Sequence, residues 1–176
     1  MPTAQSILTN SPDLAPIEAV TTPVDADVVV VGIAADAGAG EDAAPVVVAP
    51  GLEGEATAAL AAVARSVGAS TKVASTTRVP APDGVSAGSV VLVGLGSSDD
   101  EVSDESLRRA AGAAARACRG LGTALVLLDA ERAEPVALGA GLGSFRPAKV
   151  TSKNDDDENG DSLKVFVAEG GADAVI

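Results

Sequence analysis

Three apolar runs bounded by turn residues constrain this chain more than any other feature: Asp27–Ala34 (DVVVVGIA), Ser89–Leu95 (SVVLVGL) and Thr123–Leu128 (TALVLL). None of them alternates apolar with polar side chains, so none suits a sheet with one face in water. Each reads as a strand buried on both faces, which requires helices above and below it.

The intervening segments supply those helices. From Glu53 onward, Ala56, Leu60, Val63 and Val67 recur at helical spacing, and Gly68 stands where a left-handed C′ residue belongs. A second helix is expected from about Asp104 to Arg119. Leu107, Ala111, Ala114, Cys118 and Leu121 share one face, Ser103 is placed to cap, Asp104 and Glu105 lie in the first turn, and Arg116 and Arg119 lie in the last. Pro135 can start a third helix, in which Leu138, Leu142 and Phe145 share a face. Further strands are expected at Ile17–Thr21, Lys72–Val79 and Leu163–Ala168, with 36–44 a loop and 80–88 a turn-rich connector. Strands alternating with helices give an α/β fold, a largely parallel sheet covered on both sides in three α/β/α layers.

At 176 residues the chain has the length of a single domain. Residues 1–14 are expected to be loosely ordered, 15–168 to form the domain, 151–162 (TSKNDDDENGDS) to be a solvated acidic loop, and 169–176 to begin a connection to something further. The apolar residues, 47% of the chain, are nearly all Ala, Val and Leu, with two Phe and no Tyr or Trp, so the core must be built from small side chains in close contact. Twelve basic against twenty-five acidic residues give a net charge of −13, which disfavours nucleic acid and anionic membranes as partners. A lone Cys118 excludes an internal disulfide, residues 1–10 lack the features of a secretory signal, and no run approaches the ~18 apolar residues of a membrane span. A cytoplasmic location is the expectation.

No catalytic or metal-binding constellation stands out. The chain has no histidine, which removes the commonest general base near neutral pH and the commonest zinc ligand. Cys118 lies on the apolar face of a helix with no activating base evident, and reads as a small core residue. Gly94-Leu95-Gly96-Ser97-Ser98 follows a strand and precedes a helix, as a nucleotide loop would, but lacks the third glycine, and the helix starts too late to meet a pyrophosphate. A strand-ending turn is the better reading. Gly139-Ala140-Gly141-Leu142-Gly143 sits inside an expected helix, where each Gly costs about 1 kcal/mol relative to Ala. Close approach of that helix to the sheet would offset the cost; a backbone cradle for a ligand is the alternative. Asp155-Asp156-Asp157-Glu158-Asn159-Gly160-Asp161 matches the first half of a calcium loop, but Phe166 occupies the position of the bidentate Glu and the flank is strand-like. A solvated linker is the better account. Arg108 and Arg109 with Asp104 and Glu105 read as the solvated helix face, supported by i,i+4 pairs.

Three stretches, taken in order, resemble one family: Val90–Gly96, Leu107–Arg119 (LRRAAGAAARACR) and, above all, Ala137–Lys149 (ALGAGLGSFRPAK). They are similar to the amino-terminal domain of leucyl aminopeptidases, the cytosol aminopeptidase family of metallopeptidases. There, a strand ending in Val-Gly-Leu-Gly leads to an Ala-rich helix, another strand, and a helix closing on a Gly-[SA]-Tyr-[RK]-Phe type segment. Gly143-Ser144-Phe145-Arg146 stands in that last place, with Phe145 for Tyr and Pro147 for the second aromatic. The resemblance spans roughly residues 17–168. It implies a mixed, macro-domain-like sheet and a structural, oligomer-assembly role beside a separate catalytic domain. That domain would hold two divalent metals, manganese or zinc, and an Asn-Thr-Asp-Ala-Glu-Gly-Arg-Leu signature that nothing in this chain matches. No catalytic, cofactor-binding or metal-binding residue is therefore carried over; the implied partners are the chain's own catalytic domain and sister subunits. A free-standing ADP-ribose or nucleotide binder is the rival reading.

Overall fold

The computed structural model describes residues 15–20, 24–36, 38, 44–52, 54–98, 101–145 and 163–168. Their elements, in chain order, are β1 (Ile17–Val20), β2 (Val28–Ala35), β3 (Val46–Val48), α1 (Glu55–Ser66), β4 (Thr76–Pro80), β5 (Ser89–Ser97), α2 (Asp104–Ala117), β6 (Thr123–Leu127), α3 (Ala133–Ser144) and β7 (Lys164–Ala168). They form one sheet in the order β1-β7-β6-β2-β5-β4, with β3 set against β2. The pairs β1–β7, β7–β6, β6–β2 and β2–β5 are parallel, whereas β2–β3 and β4–β5 are antiparallel. The sheet is therefore mixed and mostly parallel, as expected.

The β-branched run of β2 lies at the centre. Val28–Val31 pair with β6 on one side, and from Gly32 onward β3 takes over that side, with Gly32 opposite Val48 and Ala34 opposite Val46. Alternate side chains of the inner strands enter two separate cores. Val28, Val30, Val91, Val93, Ala124, Val126, Val165 and Val167 pack against α2 and α3. Val29, Val31, Ile33, Val90, Leu92, Leu125, Leu127 and Phe166 form the opposite core, with Ala56, Leu60 and Ala64 of α1. With strands at a period of two and helices on both sides, the three-layer arrangement follows directly from the apolar runs.

Several local expectations are corrected. The short strand β3 was not foreseen. Strand β4 begins at Thr76 rather than Lys72, because residues 71–75 loop out to meet the end of β5. In α1, Ala64 continues the buried face and Val67 becomes a half-exposed C-cap, although Gly68 does adopt the left-handed conformation (φ 63°) expected of it. Helix α2 ends at Ala117, so Arg119 lies beyond it; the Ser103 hydroxyl caps its start by accepting from the Ser106 amide at 3.1 Å. The calcium-like segment 155–161 and the termini 1–14 and 169–176 lie outside the described residues.

Candidate functional site

Each glycine-rich run is engaged by protein rather than open to a ligand. Strand β5 does not turn at Gly94 but continues to Ser97. The Gly94 amide donates to the Ser75 carbonyl (2.9 Å), the Ala74 amide to the Gly94 carbonyl (3.0 Å), and the Gly96 amide to the Thr71 carbonyl (2.8 Å). A Cβ on Gly94 would lie 2.0 Å from the Lys72 carbonyl oxygen. The backbone groups that a phosphate would need are thus already bonded to the 71–75 loop.

The second run makes the closest helix contact among the described residues, but its partner is α2 and not the sheet. Cβ atoms built on Gly139 and Gly143 would lie 2.2 Å from the carbonyl oxygens of Arg108 and Gly112, respectively. A Cβ on Gly112 would in turn lie 3.1 Å from the Gly139 carbonyl oxygen. Both helices meet along i,i+4 rows, so the backbone of one fills the groove left by the missing side chains of the other.

Charged side chains fix α3 at both ends. Before its first turn, one carboxylate oxygen of Asp129 accepts the amides of Glu131 (3.0 Å) and Arg132 (2.9 Å), and the other accepts Nε and Nη2 of Arg132, both at 2.9 Å. Arg132 Nη1 also reaches the Val102 carbonyl (2.5 Å) and Asp104 (3.5 Å), tying this corner to the start of α2. At the other end, Arg119 donates to the carbonyls of Gly143 (2.9 Å) and Phe145 (3.1 Å), at the terminus where a helix's own hydrogen-bond ladder runs out. The Ser144 hydroxyl accepts the Ala15 amide at 3.0 Å, anchoring the chain just before β1. None of these arginine contacts was read from the sequence: those of Arg119 with Gly143 and Phe145 and of Arg132 with Val102 and Asp104 span 24 or more positions, and the local Arg132–Asp129 pair sits in a loop with no periodicity to reveal it.

The small inward face forces the large side chains of α3 outward. Leu138, Leu142 and Phe145 do share a face, but it faces solvent: they are 43%, 69% and 46% exposed, while Val136, Gly139, Ala140 and Gly143 are buried. This apolar stripe is the most distinctive surface among the described residues.

Cys118 is fully buried at the end of α2, and burial pushes its thiol up to about 11, against a smaller opposing pull from Arg78. Arg108 pairs with Glu105 at i,i+3 (3.2 Å) rather than with an i,i+4 partner, and Asp104 turns to Arg132 instead. An open hollow beside the start of α1 is lined by Glu55, Ala59, Pro82 and Asp83 among others, with no cation or hydroxyl among the described lining residues to complement its two carboxylates. The described residues do not fit a two-metal centre: no three of His, Cys, Asp or Glu converge, Asp129 is held by Arg132, and Asp27 accepts the Thr123 amide at 2.8 Å. Among the described residues, no helix is long and apolar enough to cross a membrane.

Comparison with known proteins places this architecture. Residues 30–154 match the sequence profile described as "Cytosol aminopeptidase family, N-terminal domain". A probable cytosol aminopeptidase of Streptomyces coelicolor is 41% identical over 150 residues, covering 79% of this chain and 28% of the relative. A protein of the same name from Rhodococcus opacus is 46% identical over 81 residues, covering 46% of this chain and 16% of the relative. The aligned stretch thus spans only 16–28% of these curated relatives. Among solved structures, the bottromycin maturation enzyme BotP aligns with a TM-score of 0.53 at 27% identity, covering 83% of this chain and 28% of that one. A tomato leucine aminopeptidase mutant shares the fold, with a TM-score of 0.59 at 21% identity over 96% of this chain and 34% of that one. With the profile matched over more than half its length, the chain belongs to the cytosol aminopeptidase family and carries that family's N-terminal domain.

Proposed function

We propose that this chain is the non-catalytic amino-terminal domain of a leucyl-aminopeptidase-type enzyme, with a structural role in assembling the homo-oligomer and framing access to a catalytic domain. The whole polypeptide would be a cytoplasmic exopeptidase that releases amino-terminal residues from peptides, using two divalent metals such as manganese or zinc held outside this domain. One observation carries the reading: the family match covers residues 30–154 here, yet the aligned stretch is only 16–28% of relatives that are named as aminopeptidases. The committed carboxylates Asp27 and Asp129 support the same division of labour, because their hydrogen bonds hold backbone and Arg132 in place.

The test is replacement of the matching stretch in the Streptomyces coelicolor relative by residues 15–168 of this chain. The chimera is expected to purify as a homo-oligomer and, once loaded with manganese, to hydrolyse a leucine anilide. A soluble chimera that stays monomeric and inactive would count against the reading.

A further inference from the structure

Helix α3 presents Leu138 and Leu142 to solvent at i and i+4, with the exposed Phe145 at its C-cap, and the contact with α2 leaves it no choice of rotation: turning it would drive a Leu into the groove that Gly139 and Gly143 occupy. Arg132 and Arg119 fix its two ends, so Leu138 and Leu142 stand on a rigid element, and Phe145, just past its end, is held through its carbonyl by Arg119. Single exposed apolar residues need no explanation, but two in register on a pinned helix and a third at its cap form a patch of the kind that marks a contact.

We infer that this stripe is the seat on which the remainder of the same polypeptide, its catalytic portion, docks through an apolar patch of its own. The inference rests on the domain reading above. A second copy of this chain is a poorer occupant. Three side chains fall well short of the ~800 Å² per partner of a stable complex. A tethered domain needs less surface, because covalent linkage supplies an effective concentration of about millimolar and interdomain contacts can be as small as ~600 Å² in total, ~300 Å² per side. The relatives carry the necessary chain, since at most 28% of the two quoted lies in the aligned stretch. The rim sets the complementary chemistry: Glu134 is exposed in the first turn of α3 and Arg119 lies beside the Phe145 carbonyl, so the docking patch should offer a cation at one end and an acceptor at the other.

The experiment is hydroxyl-radical footprinting of Leu138, Leu142 and Phe145 in the free chain and in the Streptomyces coelicolor chimera. Labelling is expected to fall by about tenfold in the chimera, as for side chains passing from half-exposed to core-like burial. Leu142→Glu should leave the melting temperature of the free chain unchanged within about 2 °C, while restoring the labelling of Leu138 and Phe145 in the chimera. An active, oligomeric chimera labelled as heavily as the free chain would overturn the inference while leaving the domain reading intact. Concentration-dependent protection in the free chain would overturn it in favour of self-association. A chimera that neither assembles nor hydrolyses substrate would remove the domain reading and the inference together.

Discussion

A methyl group added to Gly143 would sit 2.2 Å from the carbonyl oxygen of Gly112, a distance no van der Waals contact allows. That one relationship explains why a helix with three glycines in five positions is tolerated at all: the loss of helix propensity is offset by direct backbone packing of α3 on α2.

Gly143→Ala should therefore destabilise the domain, by about 2 kcal/mol, although helix propensity alone favours Ala by about 1 kcal/mol. Gly139→Ala, facing the Arg108 carbonyl at the same distance, should behave alike. Urea denaturation checks both, and an increase in stability for either would show that α2 and α3 are not in backbone contact.

Removing the guanidinium that closes α3 should loosen one end only. Arg119→Met loses two charge-assisted hydrogen bonds to the Gly143 and Phe145 carbonyls in a partly exposed setting, a cost of about 1 kcal/mol. Hydrogen exchange should accelerate in the last turn of α3 and stay unchanged in the inner strands. Uniform acceleration across the sheet would contradict a local role.

Much of this arrangement was legible in the sequence, for identifiable reasons. The β2, β5 and β6 runs announced themselves because strands buried on both faces need apolar residues at every position, and α2 did so because its cap, first-turn acids and stripe agree. Strand β3 escaped because it has only three residues, follows Pro45 and alternates nothing. The outward turn of Leu138, Leu142 and Phe145 escaped for a different reason. Periodicity identified the face they share, but only the steric fit of Gly139 and Gly143 against Arg108 and Gly112 decides which face points inward. The apolar setting of the Gly139–Gly143 run pointed to packing, but to packing on the sheet; the partner is α2, which nothing local to the run could name.

The Cys118 thiol should be inert in the native state. With its ionisation pushed up to about 11 and its side chain fully buried, it should not react with iodoacetamide at pH 8 until the chain is unfolded in urea. The unfolded thiol ionises near 9.0 and the folded one near 11, so the folded state binds more protons between those values. This contribution is complete below pH 9 and is lost as pH rises toward 11, by about 2–3 kcal/mol. Stability that stayed flat across that interval would show the thiol to be accessible.

The free chain should not bind ADP-ribose. The amide and carbonyl of Gly94 and the amide of Gly96 are bonded to residues 71–75, and the Gly139–Gly143 run is occupied by α2, so neither run offers free donors to a phosphate. Calorimetry should show no heat of binding at ligand concentrations up to about a millimolar; micromolar affinity would revive the nucleotide-binding alternative.

The central claim, that this domain belongs to an aminopeptidase without performing its chemistry, is tested most directly by a leucine anilide assay on the purified 176-residue chain loaded with manganese or zinc. No release of the aniline above the metal-only background is expected, while the chimera with the Streptomyces coelicolor relative hydrolyses the same substrate. Turnover by the isolated chain, abolished by a chelator and restored by metal, would contradict the account.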